Sequence, residues 1–126
     1  MRLLLDTVAF LWAVTSPERI SHRAMTAMRS ESAVREISAV SLSEIAIKYG
    51  TGKLKFGKGD LDAGLADLQM RVLPYTAEHA FRMFDLPLHH TDPFDRQIIA
   101  QALCEEIAVV TCDEKFSLYK GLKIVW

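Results

Sequence analysis

The chain has 126 residues, half of them hydrophobic and a quarter charged, with a formal net charge of −1. That length fits one core-forming domain over residues 1–126, and the near-neutral charge excludes an overall field drawing the chain onto nucleic acid. Two thiols without metal spacing (Cys104, Cys112), an apolar start cut off by Asp6 too early for a signal-peptide core, and the lack of any membrane-length apolar run predict a cytoplasmic protein.

Leu3 to Leu5 reads as a short strand covered on both faces, since it shows no polar alternation. Thr7 to Val14 comes next as a helix that is apolar almost all round, which requires deep burial or a covering partner. Ser16-Pro17 breaks it, and Ile20, Ala24, Ala27 and Met28 supply the inward stripe of the next helix. Ile37 to Val40 is the second strand expected, and Ser41 opens a third helix with Leu42, Ile45, Ala46 and Tyr49 on one face. Gly50-Thr51-Gly52 ends that helix. A loop carrying Lys53, Lys55 and Lys58 leads to a helix marked by Leu61, Leu65 and Leu68.

Val72 to Tyr75 is the third strand expected, and Thr76 caps a helix in which Ala77, Ala80, Phe81 and Phe84 recur at helical spacing. Asp92-Pro93 is a helix start, an N-cap acid followed by proline in the first turn. Ile107 to Cys112 and Leu122 to Val125 complete the strands. Strands alternating with helices in this way predict an α/β fold around a mainly parallel sheet.

Four acids fall at junctions of these elements: Asp6 after the first strand, Glu44 and Asp95 in the opening turns of two helices, and Asp113 after the fourth strand. In a parallel sheet such junctions share the carboxyl edge, where these folds bind ligands. Each acid also has a plain structural reading, because helix N-termini favour acids. Asp6 and Asp113 can cap the helices next to them in the chain, and Ser41-Leu42-Ser43-Glu44 matches a capping box. Asp95 resists that reading, since Asp92 already supplies the cap and Asp95 shares a stripe with Ile98, Ile99 and Ala102. An inward acid needs a partner, and no base lies one turn along that stripe. A shared cation resolves all four together. Carboxylate oxygens suit Mg²⁺ or Mn²⁺ rather than zinc, and such ions serve phosphodiester chemistry.

Other motifs say less. Gly50-Thr51-Gly52-Lys53-Leu54 fails as a phosphate loop, because Leu54 stands where a hydroxyl is needed. His89-His90 can ligate metal, but their loop position favours exposed or locally bonded rings. Thr7 and Thr111 flank acids and can orient them, with strand-end or capping roles equally open. Lys48, Lys53, Lys55 and Lys58 form an acid-free basic run able to touch a phosphate backbone, though a solvated loop is its commoner meaning. Arg96 and Lys115 stand beside acids and can hold phosphates at the rim.

Leu4-Leu5-Asp6-Thr7 with Leu11-Trp12, Ser41-x-x-Glu44-Ile45-Ala46-x-Lys48 running to Gly52-Lys53-Leu54, His90-x-Asp92-Pro93-Phe94-Asp95-Arg96 running to Ile99-Ala100-Gln101-Ala102, and Thr111-x-Asp113-x-x-Phe116 occur in that order. Together they resemble the PIN-domain nucleases, in particular VapC-type toxins of bacterial and archaeal toxin–antitoxin pairs. The resemblance implies a three-layer α/β/α sandwich with strand order 3-2-1-4-5. It also implies a Mg²⁺ or Mn²⁺ site and cleavage of single-stranded RNA by in-line water attack. Asp6, Glu44, Asp95 and Asp113 match the family's site acids, Thr111 an orienting residue, and Asp92 a supporting acid. A homodimer and a cognate antitoxin lying across the groove are implied as partners. Competing expectations are a structure-specific DNA nuclease, which needs a helical arch that 126 residues hardly accommodate, and a phosphorylated receiver domain, which needs an acidic neighbour that Asp6 lacks. A non-catalytic domain whose acids are all caps is the fourth.

Overall fold

Leu3, Leu4 and Leu5 are wholly buried, and their alternating side chains feed two separate cores. The computed structural model describes residues 1–126. Strand β1 (Arg2–Leu5) is followed by α1 (Thr7–Thr15), α2 (His22–Arg29), β2 (Val34–Ser38), α3 (Ala39–Gly50) and α4 (Lys58–Asp67). Then come β3 (Arg71–Leu73), α5 (Ala77–Arg82), α6 (Pro93–Glu105), β4 (Ala108–Val110) and β5 (Ile124–Val125), with 3₁₀ turns at Pro17–Arg19, Met83–Asp85 and Glu114–Leu118. None of the helices is long and apolar enough to cross a membrane.

All four strand pairings are parallel, in the order β3-β2-β1-β4-β5. Leu3 and Leu5 join Phe10, Ala24, Ile37 and Val110 in a core roofed by α1, α2 and α4. Leu4 joins Leu73, Ile98, Ile99 and Val109 under α6 on the opposite face. The result is the α/β/α sandwich expected. Gly64 lets α4 approach α1 closely, since a Cβ there would stand 2.8 Å from Val14 Cγ2 and 3.3 Å from Phe10 Cζ.

Several boundaries differ from those the sequence suggests. Strand β2 lies at Val34–Ser38 rather than Ile37–Val40, and its charged residues find partners outside the strand. Arg2 Nε donates to Glu36 at 2.6 Å, and Arg35 donates to the carbonyls of Met28 and Leu68 at 2.6 and 2.7 Å. Helix α3 therefore starts at Ala39, with Ser38 Oγ accepting from the Val40 N–H at 3.0 Å. Ser41 is the third helical residue rather than the cap. Strands β3, β4 and β5 are shorter than expected, and Lys58 opens α4 instead of closing the loop, paired with Asp62 at 2.7 Å.

Helix α5 ends at Arg82, short of the stripe expected, and Phe81 on it and Phe84 in the 3₁₀ turn after it face outward, 68% and 86% exposed, while His79 is buried. Helix α1 is only partly covered, with Ala9 and Phe10 buried but Leu11 to Val14 half-buried.

Candidate active site

The chain runs from β1 outward to β2 and β3, then returns to lay β4 on the other side of β1. The carboxyl ends of β1 and β4 therefore frame the switch point of the sheet, where a crevice opens between diverging connections. Asp6 directly follows β1, and its N–H donates to the Val110 carbonyl of β4 at 3.1 Å. Asp113 follows β4 by three residues. Glu44 comes from the second turn of α3, and Asp95 from the first turn of α6.

The capping and site readings turn out to use different oxygens of the same carboxylates. Asp6 Oδ1 caps α1 by accepting from the Ala9 N–H at 2.8 Å, while Oδ2 accepts from the Thr111 hydroxyl at 2.6 Å. Asp113 Oδ1 accepts from the Lys115 N–H at 2.9 Å and caps a 3₁₀ turn, while Oδ2 meets His90 Nε2 at 2.8 Å. Asp92 caps α6 by accepting from the Asp95 N–H at 3.0 Å. Thr111 Oγ1 also accepts from the Asp113 N–H at 3.0 Å, so one hydroxyl links the ends of β1 and β4.

Glu44 forms no capping box, since Ser38 already caps α3 and Glu44 lies a turn too far along. It is buried, with Oε1 accepting from the Thr7 hydroxyl and Oε2 from Lys48 Nζ, each at 2.6 Å. The Glu44 contact holds the Lys48 pKa above its ordinary value, and the fields of Asp92 and Asp95 add to this.

Asp95 points inward as its stripe requires, but its partner comes from outside the helix: His90 Nε2 lies 3.0 Å from Asp95 Oδ2. Burial, reinforced by Asp92 and Asp6, pushes the Asp95 carboxyl up to about 7. Asp6 is pushed up to about 6, again chiefly by burial, with Asp113 and Glu44 adding to it against the Thr111 and Ala9 hydrogen bonds. Four acids from four segments thus feel one another's charge.

Two expectations need correcting. Arg96 holds no open rim position: Nη1 donates to the Pro87 and His90 carbonyls at 2.8 and 3.4 Å and to Tyr119 Oη at 3.2 Å, and Nη2 donates to the Leu86 carbonyl at 3.4 Å. Its guanidinium braces the loop before α6. His90 is locally bonded through Nδ1, which accepts from the Asp92 N–H at 3.2 Å, but the ring is buried among the acids rather than exposed. The one sequence signal for it is its place two residues before the Asp92 cap. The residues that bury it, Tyr119 and Phe116, lie far along the chain. Lys115 is exposed and makes no ion pair, while Lys48 is committed to Glu44.

The sequence profile of the PIN domain family matches residues 3–122. No curated protein matches the chain in sequence. Among solved structures, VapBC2 from Rickettsia felis bound to a promoter DNA fragment is similar with a TM-score of 0.77 at 20% identity, covering 98% of this chain and 97% of that one. VapBC-1 from nontypeable Haemophilus influenzae gives a TM-score of 0.70 at 17% identity, covering 98% and 96%. DNA-bound VapBC from Salmonella typhimurium gives 0.67 at 20% identity, with the same coverage of 98% and 96%. At these identities the structural likeness speaks for the fold, and it agrees with the profile match, the strand order and the acids at the switch point. The chain belongs to the PIN domain family.

Proposed function

We propose that the chain is a Mg²⁺- or Mn²⁺-dependent endoribonuclease that cleaves single-stranded RNA, acting as the toxin of a toxin–antitoxin pair. The observation that carries this reading is the gathering of Asp6, Glu44, Asp95 and Asp113 around the β1/β4 switch point, near enough that burial and mutual charge raise two of the carboxyls to about 6 and 7. Carboxyls so crowded favour a cation in their midst, and an all-oxygen donor set suits a hard one. Asp6, Asp95 and Asp113 would hold it, with Glu44 at its edge. When bound, such an ion lowers the pKa of water and neutralises charge on a phosphoryl group.

The protein's own groups set the stage for that chemistry. Thr111 and the Ala9 N–H fix the Asp6 carboxylate, and through the Asp113 amide Thr111 keeps the two strand ends together. Thr7 and Lys48 fix Glu44 from either side. The exposed Lys115, Lys53 and Lys55 are the cations available to an RNA backbone. Arg96 contributes by bracing the His90 loop rather than by touching phosphate.

The test is digestion of single-stranded RNA by purified protein, with and without Mg²⁺ or EDTA, alongside duplex and branched DNA. RNA cleavage that needs the metal and disappears in Asp6→Asn and Asp95→Asn is the expected result. Undiminished cleavage by Asp95→Asn, or cleavage of DNA alone, would overturn the assignment.

The same reading extends to partners. Relatives of this fold were solved as VapBC assemblies, two of them on DNA. An apolar groove of about 530 Å³ between α3 and α4, lined by Leu42, Ala46, Tyr49, Phe56, Leu61 and Leu65, supports docking of an antitoxin segment. The outward Phe81, Phe84 and Leu88, each at least two-thirds exposed, support a homodimer. Light scattering should report a dimer that Phe84→Glu converts to monomer; a wild-type monomer would remove the dimer from the proposal.

A further inference from the structure

We propose that His90 is a positioning residue: its Nε2–H bonds Asp113 close beside Asp95 and leaves cation coordination to oxygen atoms alone. The inference rests on the cation-dependent nuclease reading of this site and names a part in it for a side chain that the acids do not explain.

The imidazole is fixed from every direction. Its backbone N–H donates to Tyr119 Oη at 2.9 Å, and its carbonyl accepts from Arg96 Nη1 at 3.4 Å. The ring stands edge-on to Phe116, with centroids 5.8 Å apart, and only 7% of the residue is exposed. Nδ1 accepts the Asp92 backbone N–H at 3.2 Å. A backbone amide nitrogen can only donate, so Nδ1 carries the lone pair and the ring proton resides on Nε2.

That tautomer decides the role. Nε2 donates to Asp113 Oδ2 at 2.8 Å, and Asp95 Oδ2 lies 3.0 Å from the same nitrogen, off the line of that bond. A nitrogen that already bears a proton has no lone pair for a metal. His90 Nε2 and the two aspartate oxygens lie within 4.8 Å of one another, close enough for a ligand trio by distance alone. The hydrogen-bond polarity excludes it. Histidines that bind metals donate from their second nitrogen to a carboxylate or carbonyl, which aims the free lone pair at the ion. Here the second nitrogen accepts instead.

One N–H, bonded to Asp113 after β4 and 3.0 Å from Asp95 on α6, thereby sets its positive end against oxygens from two different segments and offsets their repulsion. Arg96 and Tyr119 have a clear place in this arrangement, since both fix the backbone of His90. An oxygen-only ligand set also favours Mg²⁺ and Mn²⁺ over zinc, which seeks nitrogen and sulfur.

The deciding measurement uses the wild-type chain labelled with ¹⁵N-histidine. Long-range ¹H–¹⁵N correlation at one pH, without metal and with excess Mg²⁺, should show the neutral Nε2–H form in both states. An unprotonated Nε2 in either state overturns the proposal. Calorimetric Mn²⁺ titration of variants provides the second readout. His90→Ala should weaken binding roughly 10- to 100-fold, the usual cost of losing a group that orients a ligand. His90→Gln, which sets an amide N–H near the position of Nε2, should recover most of that loss. Equal losses in both variants, or a selective loss of Zn²⁺ binding in His90→Gln, overturn it as well. Failure of wild type to bind Mn²⁺ would instead overturn the nuclease reading, while the nitrogen spectrum still decides the donor role of His90.

Discussion

Acidic side chains are buried at both ends of β1, and the two ends neutralise them differently. At the amino end, Arg2 reaches Glu36 at 2.6 Å and Glu105 at 3.4 Å, and His79 Nε2 lies 3.1 Å from the second oxygen of Glu105. Those hydrogen bonds, that of His79 foremost, hold the Glu105 carboxyl below its usual value. At the carboxyl end, Asp6, Glu44, Asp92, Asp95 and Asp113 gather, and apart from the His90 contacts the only ion pair is Lys48 with Glu44. There the carboxyls of Asp6 and Asp95 rise instead. Burial alone does not distinguish the two clusters; a charge balance supplied from within does. The amino end is closed on itself, whereas the carboxyl end carries more negative charge than its own cations balance.

The sharpest way to break this contrast is to neutralise one acid at the open end. Asp95→Asn should abolish Mg²⁺-dependent RNA cleavage, by roughly 10³-fold or more. The same substitution should raise the melting temperature of the metal-free protein above pH 7, because it removes a buried charge that lacks a full counterion. Loss of activity together with loss of stability would mean that Asp95 is as structurally paired as Glu36, and the distinction between the ends would fail.

The mirror experiment at the closed end should have the opposite sign. Glu36→Gln leaves Arg2 without its main partner and should destabilise the fold by about 2 to 3 kcal/mol, less than for a fully buried pair because Arg2 is partly exposed. Urea denaturation measures it. RNA cleavage at saturating Mg²⁺ should survive, since no site acid contacts this cluster.

The two ends also differ in how much of them the sequence discloses. Asp6, Asp95 and Asp113 stand out because strand ends and helix starts are local patterns, and the stripe of Ile98, Ile99 and Ala102 fixes the direction of Asp95. The sheet order comes from family motifs spread along the chain, and the pairings agree with it. Local pattern misplaces strand β2 for a physical reason: Arg35 and Glu36 look like surface residues until Arg2 and the Met28 and Leu68 carbonyls are brought to them. Glu44 is ambiguous in sequence because Ser41 matches a cap three residues before it, whereas β2 ends at Ser38 and that residue caps α3 instead. His90 is misread because a loop has no period from which burial can be inferred, and Arg96 because its partners, the Leu86, Pro87 and His90 carbonyls and Tyr119, all lie outside its helix. The closed end leaves no trace in the sequence at all, as its partners Arg2, Glu36, His79 and Glu105 share no local motif.

Titration should show opposite slopes at the two ends. For Asp6 and Asp95 the folded form binds protons more tightly than the unfolded chain, whose carboxyls keep the ordinary value of 3.8. Their stabilising contribution is therefore full below that value and is lost as pH rises through about 6 and 7. Glu105 works in reverse: its contribution is present above its ordinary value and lost as pH falls. Metal-free melting temperatures measured from pH 4 to 8 should decline toward the alkaline side in wild type, and less so in Asp95→Asn. Mn²⁺ at about 100 times its dissociation constant should restore about 2.7 kcal/mol at pH 8. It should restore less near pH 5, where protons compete for the same oxygens. A pH-independent Mn²⁺ effect would show that the raised carboxyls are not the ones that meet the ion.

The smallest expected effect concerns the one internal cation at the open end. Lys48 Nζ lies 2.6 Å from Glu44 Oε2, but its side chain is 43% exposed, so the pair contributes at most about 1 kcal/mol to stability. Lys48→Gln should therefore barely move the urea midpoint. It makes the cluster one charge more negative, and Mn²⁺ should bind roughly 3-fold more tightly, the size expected of a partly screened interaction between charges. The double variant Lys48→Gln with Glu44→Gln then separates two routes to that gain. If the freed Glu44 carboxylate meets the ion, the gain vanishes in the double variant and affinity falls below wild type. If Lys48 acts only through its field on Asp92 and Asp95, the double variant returns close to wild type, because one charge of each sign has been removed. Weaker Mn²⁺ binding in Lys48→Gln alone would show that the ammonium holds Glu44 in place for the ion, making the open end partly self-supporting after all.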